Sequence, residues 1–193
     1  MFLDYKNDIL LENERVRLEP LGTKHIDLLS SIVVNDPNIF RFFNAKLGTH
    51  QLLIEYIEKH IKLRQQNLKY AFAIYDKQKK TYAGSTSFLN ISEMNKRLEI
   101  GSTWIGKMFQ KTGLNRNCKF LLLEYAFEQL HCDRVELKTD GRNLNSQNAI
   151  KGIGATYEGC LRSHTVMPDG FRRDTMYYSI LKNEWETIKS TLL

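Results

Sequence analysis

The feature that most constrains this fold is one amphipathic helix enclosed between two strand-like segments. Apolar residues recur at the helical period over residues 114–130. Residues 98–105 before this helix and residues 134–139 after it alternate apolar and polar side chains, as strands do. A strand, a helix and a second strand in one sheet normally form a right-handed parallel crossover. We therefore predict a parallel strand pair at the centre of the chain.

The rest of the pattern predicts an α/β (α+β) fold with one mixed sheet. Residues 70–75 and 82–91 precede the parallel pair as strands separated by polar turns, which is typical of an antiparallel meander. The remaining periodic segments are strands 16–20, 156–166 and 171–181 and helices 21–33, 49–67, 144–153 and 184–192. The result is a mostly antiparallel sheet of seven strands flanked by helices. Because no repeat and no linker interrupts this order, we expect residues 1–193 to form one domain.

Composition and charge restrict the compartment and the class of protein that we expect, but they do not identify the ligand. The three cysteines, Cys118, Cys132 and Cys160, lack CxxC spacing, so we expect neither a disulfide framework nor a metal site. No apolar run approaches the roughly 20 residues that cross a bilayer, and the first residues do not resemble an export signal. We therefore expect a cytoplasmic protein without a membrane partner. The net charge of +6 suits either nucleic acid or a small polyanionic ligand.

A glycine-containing loop before the central helix is a candidate anion site. Residues 110–115 read Gln-Lys-Thr-Gly-Leu-Asn. The first amides of a helix lack intrahelical partners and attract phosphate groups. Gly113 permits a positive φ or a close backbone approach, and Lys111 adds positive charge. The loop matches neither a GxxxxGK[ST] nor a GxGxxG motif, so these residues alone leave both a capped turn and a phosphate cradle open.

Five sequence motifs, including this loop, follow one another in a characteristic order. They are Leu-Glu-Ile-Gly-Ser-Thr-Trp-Ile at 98–105, the loop at 110–115, Arg-Val-Glu-Leu-Lys-Thr-Asp at 134–140, Asn-Leu-Asn-Ser-Gln-Asn-Ala-Ile at 143–150 and Ile-Gly-Ala-Thr-Tyr-Glu-Gly at 153–159. In this order they resemble the acetyl-CoA core of the GNAT superfamily of N-acetyltransferases, and most closely its RimJ/RimL-type members.

The resemblance implies a GNAT-type sheet whose central parallel strands splay apart and hold acetyl-CoA as cosubstrate, with no metal. In the family the loop pattern is Gln/Arg-x-x-Gly-x-Gly/Ala, and Asn115 departs from the small residue usual at its third defined position. By this likeness the loop amides hold the pyrophosphate, and the backbone of the splayed strand holds the pantetheine arm. The residues implied in cofactor binding are Thr103, Trp104, Ile105, Gln110, Lys111, Thr112, Gly113, Leu114, Asn115, Asn143 and Ser146.

Three residues are candidates for catalysis under this resemblance. Amide formation needs a neutral amine and a proton for the leaving thiolate. Many family members carry a base at the place of Glu99, and His164 is an alternative because histidine titrates near neutral pH. Many members protonate the thiolate with a tyrosine on the helix at 144–153. This chain has none there, and Ser146 matches the serine that RimL-like members use.

Structural roles compete with each of these assignments. Glu99 can instead pair with a cation, and His164 can contact neighbours or substrate. Asn143 and Ser146 can cap their helix. If Ser146 does not donate the proton, Tyr157 and Tyr178 remain available. For Phe72, Phe88 and Trp104, which would suit an acceptor pocket, core packing is the simpler interpretation.

We therefore expect an N-acetyltransferase that moves an acetyl group from acetyl-CoA directly to a primary amine, on a protein N-terminus or a small molecule. Arg162, Arg172 and Arg173 flank the last hairpin and suit an acidic acceptor, although a solvated rim is the simpler interpretation. One alternative is an RNA- or ribosome-associated binding module, which the dispersed lysines and arginines disfavour. Another is a catalytically silent CoA-binding sensor. We expect no nucleic-acid partner and leave a homodimer open.

Overall fold

The protein, described by a computed structural model over residues 3–192, contains one mixed sheet of eight strands with helices on both faces. The strands are β1 (Leu11–Glu12), β2 (Val16–Pro20), β3 (Lys69–Asp76), β4 (Thr81–Ser92), β5 (Arg97–Ile105), β6 (Arg134–Asp140), β7 (Thr156–Val166) and β8 (Arg172–Leu181). The helices are α1 (His25–Asn35), α2 (His50–Gln65), α3 (Leu114–Glu124), α4 (Leu144–Lys151) and α5 (Lys182–Leu192). Two short 3-10 helices occupy Pro37–Phe40 and Lys107–Phe109.

The strand order across the sheet is β1-β2-β3-β4-β5-β6-β8-β7. All neighbours pair antiparallel except β5 and β6, which are parallel and are joined through α3. The predicted fold class is thus confirmed. The strand added to the seven predicted ones is β1, whose two residues are too few to show an alternating pattern.

The parallel pair separates after its first three residues. β5 and β6 are in register from Arg97 with Arg134 to Glu99 with Glu136. Beyond Glu99, no strand within residues 3–192 pairs with the edge of β5 that faces β6. A bulge opposite β4 inserts an extra residue into β5 at this point, and Ser102 has a φ of 47° there. The chain therefore has an open strand edge in the middle of its sheet.

Each face of the sheet has its own apolar core. On one face, α3 and α5 pack against alternate residues of the central strands, among them Phe72, Phe88 and Leu98. We call this the α3 face. On the other face, α1 and α2 pack over the small side chains Ala71 and Ala73. We call this the α2 face, and because neighbouring residues of a strand point to opposite faces, each position in β3 to β8 can be assigned to one of the two.

Local sequence explains where the helices begin and end. The side chain of Thr49 accepts a hydrogen bond from the backbone of Leu52 at 3.2 Å and so caps α2. Gly113 precedes α3 with a φ of 82°, a left-handed conformation that favours glycine. The predicted helix over 114–130 changes to π-helical hydrogen bonding at Tyr125–Gln129.

No helix in the described chain is both long and apolar enough to cross a membrane.

Candidate active site

The loop at residues 110–115 presents a row of free backbone amides. Within residues 3–192, the N–H groups of residues 111–115 donate to no protein acceptor. Lys111 and Gly113 both adopt positive φ, 58° and 82°, which turns successive amides toward the same side of the loop. A Cβ added at Gly113 would meet nothing within 4 Å, so the space in front of this residue is open. The geometry suits an anion such as a pyrophosphate.

Side chains around the loop fix its shape and add one positive charge. The side-chain oxygen of Asn115 is buried and accepts no hydrogen bond from the described residues, so an acceptor without a partner lies at the start of α3. Gln110 donates from Nε2 to the carbonyl of Ile105 at 3.0 Å, which ties the loop to the end of β5. Thr112 donates to the carbonyl of Phe109 at 2.7 Å. Lys111 is exposed beside the free amides.

A buried ion pair supports the loop from below. Arg15 and Asp76 form a two-point pair, and the side chain of Asp76 is fully buried. The same guanidinium lies 3.4 Å from the hydroxyl of Thr112. Burial by itself would raise the pKa of Asp76, but the hydrogen bonds from Arg15 and from backbone amides outweigh it and hold that pKa below its usual value. The Arg15–Asp76 ion pair therefore contacts the loop through Thr112 and helps to fix its position.

On the α2 face, a row of mostly polar residues crosses the sheet beside the open edge of β5. Lys69, Leu89, Glu99, Glu136 and Ser179 are successive partners on β3, β4, β5, β6 and β8. The row passes through the point at which β5 and β6 begin to separate. A group placed at this point can contact both the open edge and the charged side chains. The α2 face is thus the candidate acceptor side of the site.

Glu99 is held in place by two donors on one oxygen. Its Oε2 accepts hydrogen bonds from Nδ2 of Asn90 at 2.7 Å and from Nζ of Lys138 at 2.9 Å. Lys138 also reaches Oε2 of Glu136 at 3.1 Å. Glu99 Oε1 has no protein partner within residues 3–192, and a Cβ added at Gly101 would lie 3.0 Å from it. Glu99 therefore has both an ion-pair role and one free oxygen beside the splay.

Two lysines, Lys69 partly buried and Lys119 buried, lie on opposite sides of the bulge in β5. Lys69 donates to the hydroxyl of Ser102 at 2.7 Å on the α2 face. Lys119, from α3, donates to the hydroxyl of Thr103 at 2.8 Å, and this hydroxyl is also 2.8 Å from that of Thr86. Burial lowers the pKa of Lys69 and that of Lys119 to about 8 in each case. The bulge is thus fixed from both faces by lysines that lose part of their hydration.

His164 lies two side chains away from Glu99. Its Nδ1 is 3.1 Å from the hydroxyl of Thr175, and its ring centroid is 5.9 Å from that of Tyr177. Nζ of Lys138 lies over the same Tyr177 ring, 4.5 Å from the centroid. The two candidate bases therefore share the α2 face and are linked through Lys138 and Tyr177, but the structure does not bring them into contact.

Asn143 and Ser146 occupy the start of α4. The side chain of Asn143 accepts a hydrogen bond from the backbone N–H of Ser146 at 3.1 Å, so Asn143 is a helix cap. The hydroxyl of Ser146 has no protein partner among the described residues. Of the alternative donors, Tyr178 is buried and donates to Gln147 Oε1 at 3.2 Å, and Tyr157 is exposed. Ser146 keeps a free hydroxyl for a ligand.

The predicted cofactor residues of β5 divide between the faces. Thr103 points toward α3 through its contact with Lys119. Trp104 is buried on the α2 face against Phe40, with ring centroids 5.3 Å apart. Core packing thus accounts for the indole, and only the backbone of this segment faces the open edge. Ile105 is buried on the α3 face.

Sequence reasoning missed the three lysines Lys69, Lys119 and Lys138. Lys69 alternates with Ala71, and Lys138 alternates with Glu136, so each could have been assigned to the polar face of its strand. Lys119 stands one helical turn before the apolar residues Leu122 and Leu123, where a long side chain usually extends to solvent. The bulge in β5 gives Lys69 and Lys119 their partners, Ser102 and Thr103, whereas Lys138 pairs with Glu99 and Glu136.

Comparison with known proteins agrees with this geometry. Residues 15–156 match the sequence model of the acetyltransferase (GNAT) domain. YdaF of Bacillus subtilis (strain 168), whose name marks it as a candidate ribosomal N-acetyltransferase, is 36% identical over 103 residues, which cover 53% of this chain and 55% of YdaF. The chain thus aligns with only about half the length of that relative.

Solved structures resemble the whole chain. A GCN5-related N-acetyltransferase from Brucella melitensis superposes with a TM-score of 0.90 and 27% identity, covering 98% of this chain and 86% of that one. RimL, a ribosomal L7/L12 α-N-protein acetyltransferase, superposes with a TM-score of 0.78 and 20% identity, covering 93% of this chain and 97% of that one. At that identity the second likeness shows the fold alone.

Proposed function

Because the chain belongs to the GNAT acetyltransferase family and resembles its RimJ/RimL-type members, we propose that it transfers an acetyl group from acetyl-CoA directly to a primary amine. The observation that carries this proposal is the row of free amides at residues 111–115 beside the open edge of β5. The loop offers donors for a pyrophosphate, and the strand edge offers donors and acceptors for an amide-bearing arm. The Asn115 oxygen, which has no partner among the described residues, adds a hydrogen-bond acceptor at the start of α3.

The residues on the α2 face suit the amine half of the reaction. The attacking nitrogen forms a bond to the acetyl carbon, and the bond from that carbon to sulfur breaks. The amine loses one proton, which we assign to the free oxygen of Glu99, directly or through water. The thiolate gains one proton, which we assign to the free hydroxyl of Ser146. Neither step requires a covalent enzyme intermediate, since the nitrogen is itself the nucleophile.

The acceptor in this proposal is a protein N-terminal amine or a small-molecule amine. The names of YdaF and RimL refer to ribosomal proteins, so peptides with the N-termini of ribosomal proteins are the first acceptors to screen. An α-amine has a solution pKa near 8 and a lysine amine near 10. An N-terminal amine is therefore the easier one to deprotonate at neutral pH.

Calorimetric titration with acetyl-CoA tests the donor assignment, with the variant Gly113→Glu beside the wild type. A glutamate at position 113 would have to adopt a φ of 82°, which favours glycine. It would also place a negative charge in front of the free amides. We expect micromolar-range binding by the wild type to be lost in this variant. Gly170→Glu is the matched control, because Gly170 has a φ of 84° and open space around it but lies in the β7–β8 turn.

The two variants separate backbone strain from ligand contact. If both variants lose acetyl-CoA binding together with their folded circular dichroism, strain accounts for the loss. If both fold and only Gly113→Glu fails to bind, the loop holds the phosphates. Wild-type affinity in a folded Gly113→Glu protein would contradict the donor assignment. Release of free thiol in the presence of an amine then reports transfer.

A further inference from the structure

Among residues 3–192, the α2 face holds two partly buried cations without a carboxylate partner, Lys69 and Arg173. From them we propose that the acceptor amine carries a carboxylate of its own. This inference rests on the proposed acetyl transfer and names the substrate class of the same site. The shared chemistry is an amine with an acid group close by, as in a free amino acid or in a peptide with an acidic residue after its N-terminus.

Lys69 lies where β5 leaves the sheet. Its ammonium donates to Ser102 Oγ at 2.7 Å and has no carboxylate within 4.0 Å among residues 3–192. Glu99 is close enough to raise the pKa of Lys69, but burial has the larger effect and lowers it. A partly buried ammonium with one neutral partner lacks the negative charge that normally accompanies it.

Arg173 differs from the other two arginines of the last hairpin. Arg162 is exposed, and Arg172, also exposed, is occupied by Ser163, to which Nε and Nη2 donate at 2.7 Å each. Arg173 is partly buried on β8, and its Nε donates only to Thr175 at 3.2 Å. Burial lowers its pKa, against the effects of Asp140 and Glu99. Its guanidinium therefore retains free donors near the acceptor side.

The acids of the α2 face are already neutralised by other cations. Lys138 pairs with both Glu99 and Glu136, and Glu136 also pairs with Arg97 and Arg134, at 3.1 and 3.2 Å. Asp140 forms a two-point pair with Arg142, at 3.0 and 2.7 Å. Since these carboxylates already have cationic partners, Lys69 and Arg173 give the face an excess of positive charge. An incoming carboxylate would supply the missing partner.

Further donors without partners lie between α2 and the same face. Tyr56 Oη, Trp104 Nε1 and the hydroxyls of Ser85 and Ser87 are buried and make no hydrogen bond within the described part of the chain. The Tyr56 hydroxyl lies near Trp104 and Ser85, which oppose the effect of burial on its pKa, but none of the three reaches hydrogen-bond geometry. An indole N–H can only donate. The interior behind this face therefore contains donors, and no carboxylate among residues 3–192 accepts from them.

The same charges disfavour polycationic acceptors. A polyamine would place further ammonium groups beside Lys69 and Arg173, and like charges close together in a poorly hydrated site repel each other. Substrate selection by charge is then a property of this face rather than of the loop that holds the donor.

Matched acid and amide acceptors test the inference. We would compare L-serine with L-serinamide, and the peptide amide Ser-Asp-Ala with Ser-Asn-Ala, with spermidine as the polycation. For each, kcat/KM is measured by thiol release, and binding to the protein–CoA complex is measured by calorimetry. Because a charge-assisted hydrogen bond corresponds to about ten- to hundredfold in affinity, we expect the acid to exceed its amide by about tenfold or more in at least one pair. The pair that responds identifies the source of the carboxylate.

Variants assign the preference to residues. Lys69→Gln and Arg173→Gln should each reduce the acid-to-amide ratio, and Lys69→Arg and Arg173→Lys should retain most of it. Lys62→Gln, an exposed lysine of α2, is the control. Unchanged acetyl-CoA affinity shows that each variant is folded.

The outcomes distinguish this inference from the proposed function. Equal or better use of both amides, or a preference for spermidine, would overturn the carboxylate inference while acetyl transfer stands. Acid preference in the binding measurement without turnover of any amine would support the inference and contradict the enzyme activity. Retention of the full acid-to-amide ratio in both glutamine variants would also overturn it.

Discussion

Replacement of the buried Lys119 by methionine should change the pH dependence of stability. The ammonium of Lys119 is buried between α3 and β5, and its one hydrogen-bond partner in the described structure is the Thr103 hydroxyl, at 2.8 Å. Burial lowers its pKa to about 8 from 10.5. The folded state therefore binds this proton more weakly than the unfolded state does, and the stability of the wild type rises as pH increases from about 8 to about 10.5.

The size of the effect follows from the two pKa values. One pKa unit corresponds to about 1.4 kcal/mol, so the charged side chain costs the folded state about 3 kcal/mol at pH 7. Between pH 7 and pH 10 this penalty should fall by roughly 2 to 3 kcal/mol. Methionine has a similar length and no charge, so Lys119→Met lacks this term, while Thr103 keeps its hydrogen bond to Thr86.

The assay is urea unfolding of both proteins at pH 7 and pH 10. We expect the difference in free energy of unfolding, variant minus wild type, to be more positive at pH 7 by roughly 2 to 3 kcal/mol. Other titrating groups cancel in this comparison. Lys151→Met, at an exposed position in α4, serves as the control. A variant whose advantage is the same at both pH values would refute the reasoning that desolvation governs this lysine.

Two further predictions concern the chemistry and the loop. Glu99→Gln and Ser146→Ala should each lower kcat by about a hundredfold or more, which is the usual contribution of a positioned proton-transfer group. Calorimetry should show that both variants retain their affinity for acetyl-CoA. Wild-type rates in both variants would contradict the roles assigned to the two residues. Asp76→Asn leaves the Arg15 guanidinium without its buried partner and should lower the free energy of unfolding by about 3 to 5 kcal/mol at pH 7. Since the pKa of Asp76 is lowered in the folded state, its contribution is present above the unfolded pKa of about 4 and disappears as pH falls through the folded value. The wild type and the variant should therefore converge in acid denaturation, and a constant difference down to pH 2 would show that the ion pair is not the cause.

The sequence predicted the sheet well because its strands are long and periodic. The alternation in residues 98–105 and 134–139 and the helix between them were enough to predict the parallel pair. The loop was visible through Gly113, whose left-handed conformation the structure shows. The roles of Lys69 and Lys119 were not predictable, because their partners Ser102 and Thr103 depend on one extra residue in β5. An alternating sequence pattern does not show where a strand contains a bulge.

The separation of β5 from β6 also divides the sheet mechanically. β1 to β5 form one hydrogen-bonded unit, and β6, β8 and β7 form another, and only three residue pairs join the two. Apart from the two-residue edge strand β1, this is the junction with the fewest paired residues in the described sheet, and local opening occurs where few hydrogen bonds hold the backbone. A ligand bound between β5 and β6 would contact both units. The presence of the ligand would therefore determine how far the two units move together.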